Sequence, residues 1–142
     1  MTRLIENNIY PEAFYQKLGY LFYSVANSDR RVSPNEVNTL QQIIREDWIS
    51  LDDQHDAYGS DTAYQIHIIF DFLLEKEYNS ENAYNVFSRY FKEHIQLFSD
   101  DVIDRVFHSA NRICDSLNGS NKSELRALAR LHMLLGKEKH IV

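Results

Sequence analysis

The chain has 142 residues, a length that suits one domain whose core folds without disulfides or a structural metal. Hydrophobic residues make up 44% of it, glycines and prolines number only four and two, and strand-like alternation is hard to find. The net charge of −6 disfavours nucleic acid as a partner, because phosphate contacts need clustered cations. These features predict an all-α, single-domain helical bundle over residues 1–142.

The compartment follows from the cysteine count and from the N-terminal sequence. Cys114 is the single cysteine, so no internal disulfide forms and nothing indicates an oxidising compartment. Residues 1–8 lack the apolar segment of a signal peptide, and no apolar run approaches the roughly eighteen residues of a membrane span. We therefore expect a cytoplasmic protein with no direct membrane insertion.

The first predicted helix opens at Pro11 and stops near residues 27–28, with apolar residues recurring at steps of three and four. Its aromatic residues cover more than one face. Core packing accounts for some of the rings; the others are either plain exposed tyrosines or a partner surface, since tyrosine is enriched at interfaces. The rings are Tyr10, Phe14, Tyr15, Tyr20, Phe22 and Tyr23.

The second predicted helix runs from Pro34 to about Trp48 and has a strong start signal. Ser33 is a candidate N-cap, proline occupies the first helical position, and Glu36 follows three residues after the cap. This capping box indicates that the first two helices form a hairpin.

Residues 49–60 form the predicted loop of the chain. Six carboxylates and no Lys or Arg lie between Glu46 and Asp61. One interpretation is a solvated connector; the other is a site for a cation or a basic partner, because loops carry function more often than the elements they join. The carboxylates that a weak, flexible site would use are Asp52, Asp53 and Asp56.

The third predicted helix begins near residues 60–61 and reaches Glu77. Its centre is apolar nearly all round, so we expect it to be the central buried helix of the bundle. His67, Asp71 and Glu75 fall on it at four-residue steps, a spacing that places metal ligands or acid–base groups on one face. A His–Asp pair at this spacing is more often a local hydrogen bond, so a hydrolase built around it is our third hypothesis.

Three further helices complete the predicted bundle of six to seven. Capping residues at 79–80 and 99–100 start the fourth and fifth helices. The last helix begins at about Lys122, and Gly136 ends it. Its expected inward residues are Leu125, Leu128, Leu131 and Leu135.

No catalytic or cofactor motif occurs in the sequence. A nucleophile elbow, a phosphate-binding loop, zinc-ligand spacing and a dinucleotide fingerprint are all missing. An EF-hand starting at Asp29 fails, because its third position is Arg31. His94 and Cys114 fall on inward faces, where a satisfied core histidine and an inert thiol are expected. We therefore expect no enzyme and no cofactor.

The turn after the first helix, residues 26–36, has a recognisable pattern. It reads Ala-x-x-Asp-x-x-Val-x-x-x-Glu after an apolar helix, which resembles the signature turn of the tellurite-resistance TerB-like family. Arg30 stands where that family usually has glycine. The residues that carry the resemblance are Ala26, Asp29, Val32 and Glu36.

A family of this kind carries a second, similar turn near its C-terminus, and residues 113–125 fill that place. Aligning Ala26 with Cys114 puts Glu36 on Glu124 without a gap. The resemblance thus implies that the N-terminal and C-terminal helical hairpins superpose as a pseudo-repeat.

The two turns bring four carboxylates together if the hairpins pack side by side, and such a set binds a hard divalent cation. Arg30 and Arg31 adjoin the first turn, however, and Leu117 replaces the second aspartate. Both glutamates also have a competing role in a capping box. We therefore expect no tight divalent ion there. The four candidate ligands are Asp29, Glu36, Asp115 and Glu124.

The resemblance implies a non-enzymatic binding or adaptor module with protein partners, linked to a stress response of the tellurite type. The alternative hypothesis is a divalent-cation-binding protein or sensor that uses the acidic hairpin turns.

Overall fold

The computed structural model describes residues 10–28, 32, 34–49, 62–116 and 122–141. In these ranges all regular secondary structure is helical, and no strand occurs. This confirms the predicted all-α bundle. None of the helices in these ranges combines the length and apolar character that a membrane span requires. The helices are α1 Glu12–Ala26, α2 Pro34–Ile43, α3 Gln65–Glu75, α4 Ser80–Glu93, α5 Asp100–Asp115 and α6 Lys122–Ile141.

Two of the predicted helix starts are confirmed by their caps. The Asn79 side chain accepts a hydrogen bond of 2.9 Å from the backbone N–H of Asn82, at the start of α4. Ser99 Oγ accepts one of 3.3 Å from the backbone N–H of Val102, at the start of α5. Each cap satisfies a backbone donor that has no partner within its helix.

The prediction that the third helix is the central buried one is wrong, because α1 has that place. Ten of the fifteen residues of α1 are buried, and it packs against α3, α4, α5 and α6. In contrast, α3 packs chiefly against α1 and leaves Ile68 and Phe72 53% and 51% exposed. An apolar sequence on α3 therefore provides one buried face and one apolar outer face. The buried residues of α3 are Ile66, Phe70 and Leu73.

Five of the six aromatic residues at the first helix build the core, so the alternatives of an exposed ring or a partner surface apply only to Tyr20. Phe14 lies between other rings, with its centroid 4.7 Å from that of Tyr10 and 5.4 Å from that of Phe98. Of the six rings, Tyr20 alone is half-buried. The buried ones are Tyr10, Phe14, Tyr15, Phe22 and Tyr23.

The last helix does not end at Gly136 as predicted. α6 continues through this residue to Ile141. A glycine inside a helix costs only about 1 kcal/mol relative to alanine, so it ends a helix only where the following turn favours the left-handed conformation. Leu131 and Leu135 are buried as expected, whereas Leu125 is exposed.

Other boundaries differ from the predictions by a turn or less. A π-helical turn, Ile44–Trp48, continues α2, where an unbroken α-helix was expected. A turn at Tyr64 separates α3 from the helical residues 62–63. The predicted cap Ser33 and the acidic residues 50–61 lie outside the described residues, as do residues 117–121. The superposition of the two hairpins stays a prediction, because residues of both turns lie outside the described part of the chain.

Hydrogen bonds to α5 hold the π-helical turn in place. Trp48 Nε1 donates to Ser109 Oγ at 3.0 Å, and the Ser109 hydroxyl donates to Asp47 Oδ2 at 2.9 Å. Arg105 donates to the backbone carbonyl of Asp47, and Arg112 Nη1 lies 3.8 Å from the Asp47 carboxylate. The network fixes the indole of Trp48 inside the core.

Replacing Ser109 with alanine is expected to lower the free energy of unfolding by about 1–3 kcal/mol, because the buried indole N–H of Trp48 loses its acceptor. Ser24→Ala is the matched control. Ser24 is buried as well, but its hydroxyl only donates to the Leu21 carbonyl within α1. Urea denaturation followed by circular dichroism measures both. Equal effects of the two substitutions would show that the link to Trp48 adds nothing.

Candidate functional site

The four candidate metal ligands are only partly described. Glu36 is buried in the first turn of α2, and Asp115 is exposed at the end of α5. Asp29 and the side chain of Glu124 lie outside the described residues, so the convergence of the four stays a prediction. Where the chain is described, no group of three or more His, Cys, Asp or Glu side chains is arranged to hold a metal ion.

His67 and Asp71 form a local side-chain contact on α3. His67 Nε2 lies 3.1 Å from Asp71 Oδ2, one helical turn away, and the Asp71 side chain is 53% exposed. Glu75, a further turn along, is exposed. This is the local contact that the spacing favoured.

His94 and Cys114 lie where the sequence placed them, against the core. His94 Nδ1 is 3.1 Å from the Tyr90 carbonyl, and its ring stacks on the Tyr90 ring at 4.1 Å between centroids. Cys114 is completely buried in α5. Packing accounts for both residues.

The outer side of α3 carries an exposed apolar ridge. Ile68 and Phe72 lie one helical turn apart, and each is about half exposed. The exposed carboxylates of Asp71 and Glu75 lie along the same side of the helix. Lys76 Nζ lies 5.8 Å from the centroid of the Phe72 ring. We call these five residues the α3 outer face.

A polar cleft lies where α1 ends and α4 begins. It has a volume of about 580 Å³, and its lining includes Tyr23, Asn27 and Ser28 from the α1 side. Asn27 Nδ2 donates to Tyr23 Oη at 3.1 Å and to Ser80 Oγ at 3.0 Å, and the Ser80 hydroxyl donates back to the Asn27 carbonyl at 2.8 Å. Tyr23 in turn donates to the Tyr78 carbonyl at 2.7 Å. The hydrogen bonds to Ser80 and Tyr78 join residues that are more than fifty positions apart in the chain. We call the cavity beside these residues the α1–α4 cleft.

Glu77, on the wall of this cleft, has a backbone conformation that is unusual for its residue type. Its φ is 52°, in the left-handed region. It ends α3 in a Schellman motif, in which Tyr78 N–H donates to the Leu73 carbonyl at 3.0 Å and Glu77 N–H to the Leu74 carbonyl at 3.1 Å. Glycine is usual there, and a side chain in this region costs about 1 kcal/mol or more. Because glycine is absent at this position, the turn was not predictable from the sequence.

An ion pair borders a smaller cavity that shares Ser28, Ser80 and Glu81 with the cleft. Arg130 of α6 binds the carboxylate of Glu81 with both terminal nitrogens, and its guanidinium carbon lies 4.0 Å from the centroid of the Tyr84 ring. The hydrogen bond from Arg130 lowers the pKa of Glu81, so this carboxylate is charged and already paired. Arg126 also lines this smaller cavity.

Comparison with known proteins gave no relative to set beside this geometry. No family model, no curated protein and no solved structure matches the chain. The resemblance to the TerB-like family therefore stays a prediction that rests on the two turns.

Proposed function

We propose that this chain is a non-enzymatic binding module that docks a protein partner on the α3 outer face. The observation that carries the proposal is the exposure of Ile68 and Phe72 on a helix that packs chiefly against α1. Single exposed apolar side chains are ordinary on protein surfaces. Two of them one turn apart form a continuous ridge, the pattern of anchors by which helices bind partners.

The charges beside the ridge favour a basic partner. Asp71 and Glu75 flank the apolar pair, against the single positive charge of Lys76, and the whole chain carries a net charge of −6. A second copy of the chain would set the same carboxylates against each other, which disfavours self-association through this face. The occupant that fits is a basic segment with an apolar stripe, such as an amphipathic helix of another protein. The adaptor role in a stress response is implied by the TerB-like resemblance alone.

Removing the ridge is expected to weaken capture of the partner by about tenfold or more, the usual result of losing central apolar anchors. The test compares immobilised chains incubated with extract of the source cell. Ile68→Gln combined with Phe72→Gln removes the ridge. Leu125→Gln combined with Met133→Gln is the control, because these α6 side chains are equally or more exposed, at 53% and 69%.

Reversing the charges of Asp71 and Glu75 tests whether the partner is basic. Asp71→Lys with Glu75→Lys is expected to abolish capture, whereas Glu93→Lys with Asp104→Lys, the same change at exposed positions elsewhere, is expected to preserve it. The proposal would be contradicted if every captured protein bound the control variant and the α3 variants equally. It would also be contradicted if the proteins that depend on the α3 outer face were acidic.

A further inference from the structure

α1 and α3 lie side by side along one edge of the α3 outer face. Gln16 Nε2 of α1 donates to Gln65 Oε1 of α3 at 3.2 Å. One turn further along α1, a Cβ atom on Gly19 would lie 2.9 Å from the Cβ of Ile69, which is itself one turn further along α3. The contacts therefore advance in the same direction along both helices, and the two helices meet along a close, parallel line.

An aromatic ring stands on each side of this line. Tyr20 follows Gln16 by four residues on α1, and Phe72 follows Gln65 by seven on α3. Helical residues four or seven apart share one side of their helix, so both rings border the line where the helices meet. Phe72 is 51% exposed, and Tyr20 is half-buried. Both therefore present aromatic surface to solvent.

Each ring has an ammonium group of the same chain over it. Lys17 Nζ lies 5.3 Å from the centroid of the Tyr20 ring, and Lys76 Nζ lies 5.8 Å from that of the Phe72 ring. Both distances fall within the roughly 6 Å at which the face of an aromatic ring attracts a cation. We call these four residues the α1–α3 seam. Its two rings thus attract cations, which the chain itself supplies here.

The two lysines hold their rings only weakly. A lysine carries a strongly hydrated charge on a flexible stem, and its attraction to an exposed ring is small. A basic side chain of a docked partner has two advantages over them. The partner's contact with Ile68 holds this side chain at a high effective concentration beside the rings. Glu75, three residues from Phe72 on α3, also offers a carboxylate to the same cation.

We propose that the rings of Tyr20 and Phe72 bind basic side chains of the docked partner, and that Lys17 and Lys76 cover these rings until the partner displaces them. The inference rests on the proposed function and deepens it. It extends the docking surface from α3 to α1, and it assigns the partner's cations to aromatic faces as well as to carboxylates. It also makes the two lysines competitors of the partner, although both lie at its docking surface.

Capture by the immobilised full chain from extract of the source cell tests the inference. The quantity measured is the yield of the α3-dependent proteins, which the wild type captures and the variant with Ile68→Gln and Phe72→Gln does not. The amount of immobilised chain is kept low enough to capture only part of each protein. Lys17→Gln combined with Lys76→Gln is expected to raise the yield by about threefold, because the rings lose their competitors. Loss of the fold would lower the yield, so unfolding does not imitate the expected gain.

The control for charge is Arg89→Gln combined with Lys92→Gln. Both side chains are exposed on α4, and their loss changes the net charge by the same amount. This variant is expected to leave the yield near that of the wild type. An equal rise with both double variants would show a general charge effect and overturn the inference, and so would no rise with Lys17→Gln and Lys76→Gln.

Tyr20→Leu tests the α1 side of the seam, because leucine keeps an apolar side chain and removes the aromatic face. It is expected to lower the yield by about threefold, whereas Tyr20→Phe, which keeps the ring, is expected to restore it. Phe107→Leu makes the same kind of change at a half-buried ring of α5 and is expected to bind like the wild type. A yield unaffected by Tyr20→Leu would overturn the inference, and so would equal losses with Tyr20→Leu and Phe107→Leu.

The outcomes separate this inference from the proposed function. If no α3-dependent protein is found, the docking function itself fails, and the inference fails with it. If such proteins are found but respond to none of the seam variants, the docking function stands and the inference alone fails.

Discussion

Phe14→Ala is expected to lower the free energy of unfolding by about 3–5 kcal/mol, the usual loss when a buried aromatic ring is truncated. Phe14 is completely buried at the middle of an aromatic cluster, with the centroids of Tyr15 and Trp48 at 5.1 and 6.2 Å from its own. Removing the ring leaves a cavity that the surrounding rings, held by other elements, fill only in part. Urea denaturation followed by circular dichroism measures the change.

Phe72→Ala is the matched control, because it removes the same ring from the surface of α3. Phe72 is 51% exposed, and substitutions at such positions usually stay within about 0.5 kcal/mol. This result would also show that variants of the α3 outer face stay folded when they fail to bind. Comparable losses at the two positions would contradict the assignment of α1 as the central helix.

Gly19→Ala is expected to cost about 1–3 kcal/mol, the range for side chains forced into a packed interior. A Cβ atom at this position would lie 2.8 Å from the backbone carbonyl oxygen of Ile66 and 2.9 Å from the Cβ of Ile69. Since the nearest atom belongs to the backbone of α3, a rotamer change does not relieve the contact. The two helices have to move apart.

Gly136→Ala is the control, and its sign is opposite. A Cβ there meets nothing within 4 Å, and the residue lies inside α6. Alanine in a helix interior is better than glycine by about 0.5–1 kcal/mol, so this variant is expected to be more stable than the wild type. Thermal unfolding of both variants measures the difference. A Gly19→Ala protein as stable as the wild type would mean that α1 and α3 do not pack this closely.

The helices were predictable from local signals, and their arrangement was not. Caps such as Asn79 and Ser99 lie within three residues of the donors they satisfy, so the sequence shows them directly. The place of each helix in the bundle depends on its neighbours. Tyr15 and Tyr23 are almost fully buried in α1, although tyrosine is also common at surfaces, whereas the apolar residues Ile68 and Phe72 remain half exposed. Hydrophobicity alone therefore assigned the central position to the wrong helix.

The candidate sites were harder to predict for the same reason. The α1–α4 cleft depends on contacts such as that between Asn27 and Ser80, which are 53 positions apart in the chain. Glu77 takes a conformation that sequence patterns associate with glycine. The α3 outer face was not predicted, although Asp71 and Glu75 interrupt the apolar stretch of this helix. Those two carboxylates were the signal that one side of the helix faces solvent.

Site-specific photo-crosslinking in the source cell tests the proposed docking function most directly. A photo-reactive amino acid in place of Ile68 reports what contacts the α3 outer face, and the same amino acid in place of Met133 reports background at a similarly exposed position of α6. The proposal predicts a discrete adduct with a basic protein at position 68, lost when Asp71 and Glu75 are changed to lysine. Adducts of equal yield at both positions, or a position-68 adduct that survives the charge reversal, would contradict it.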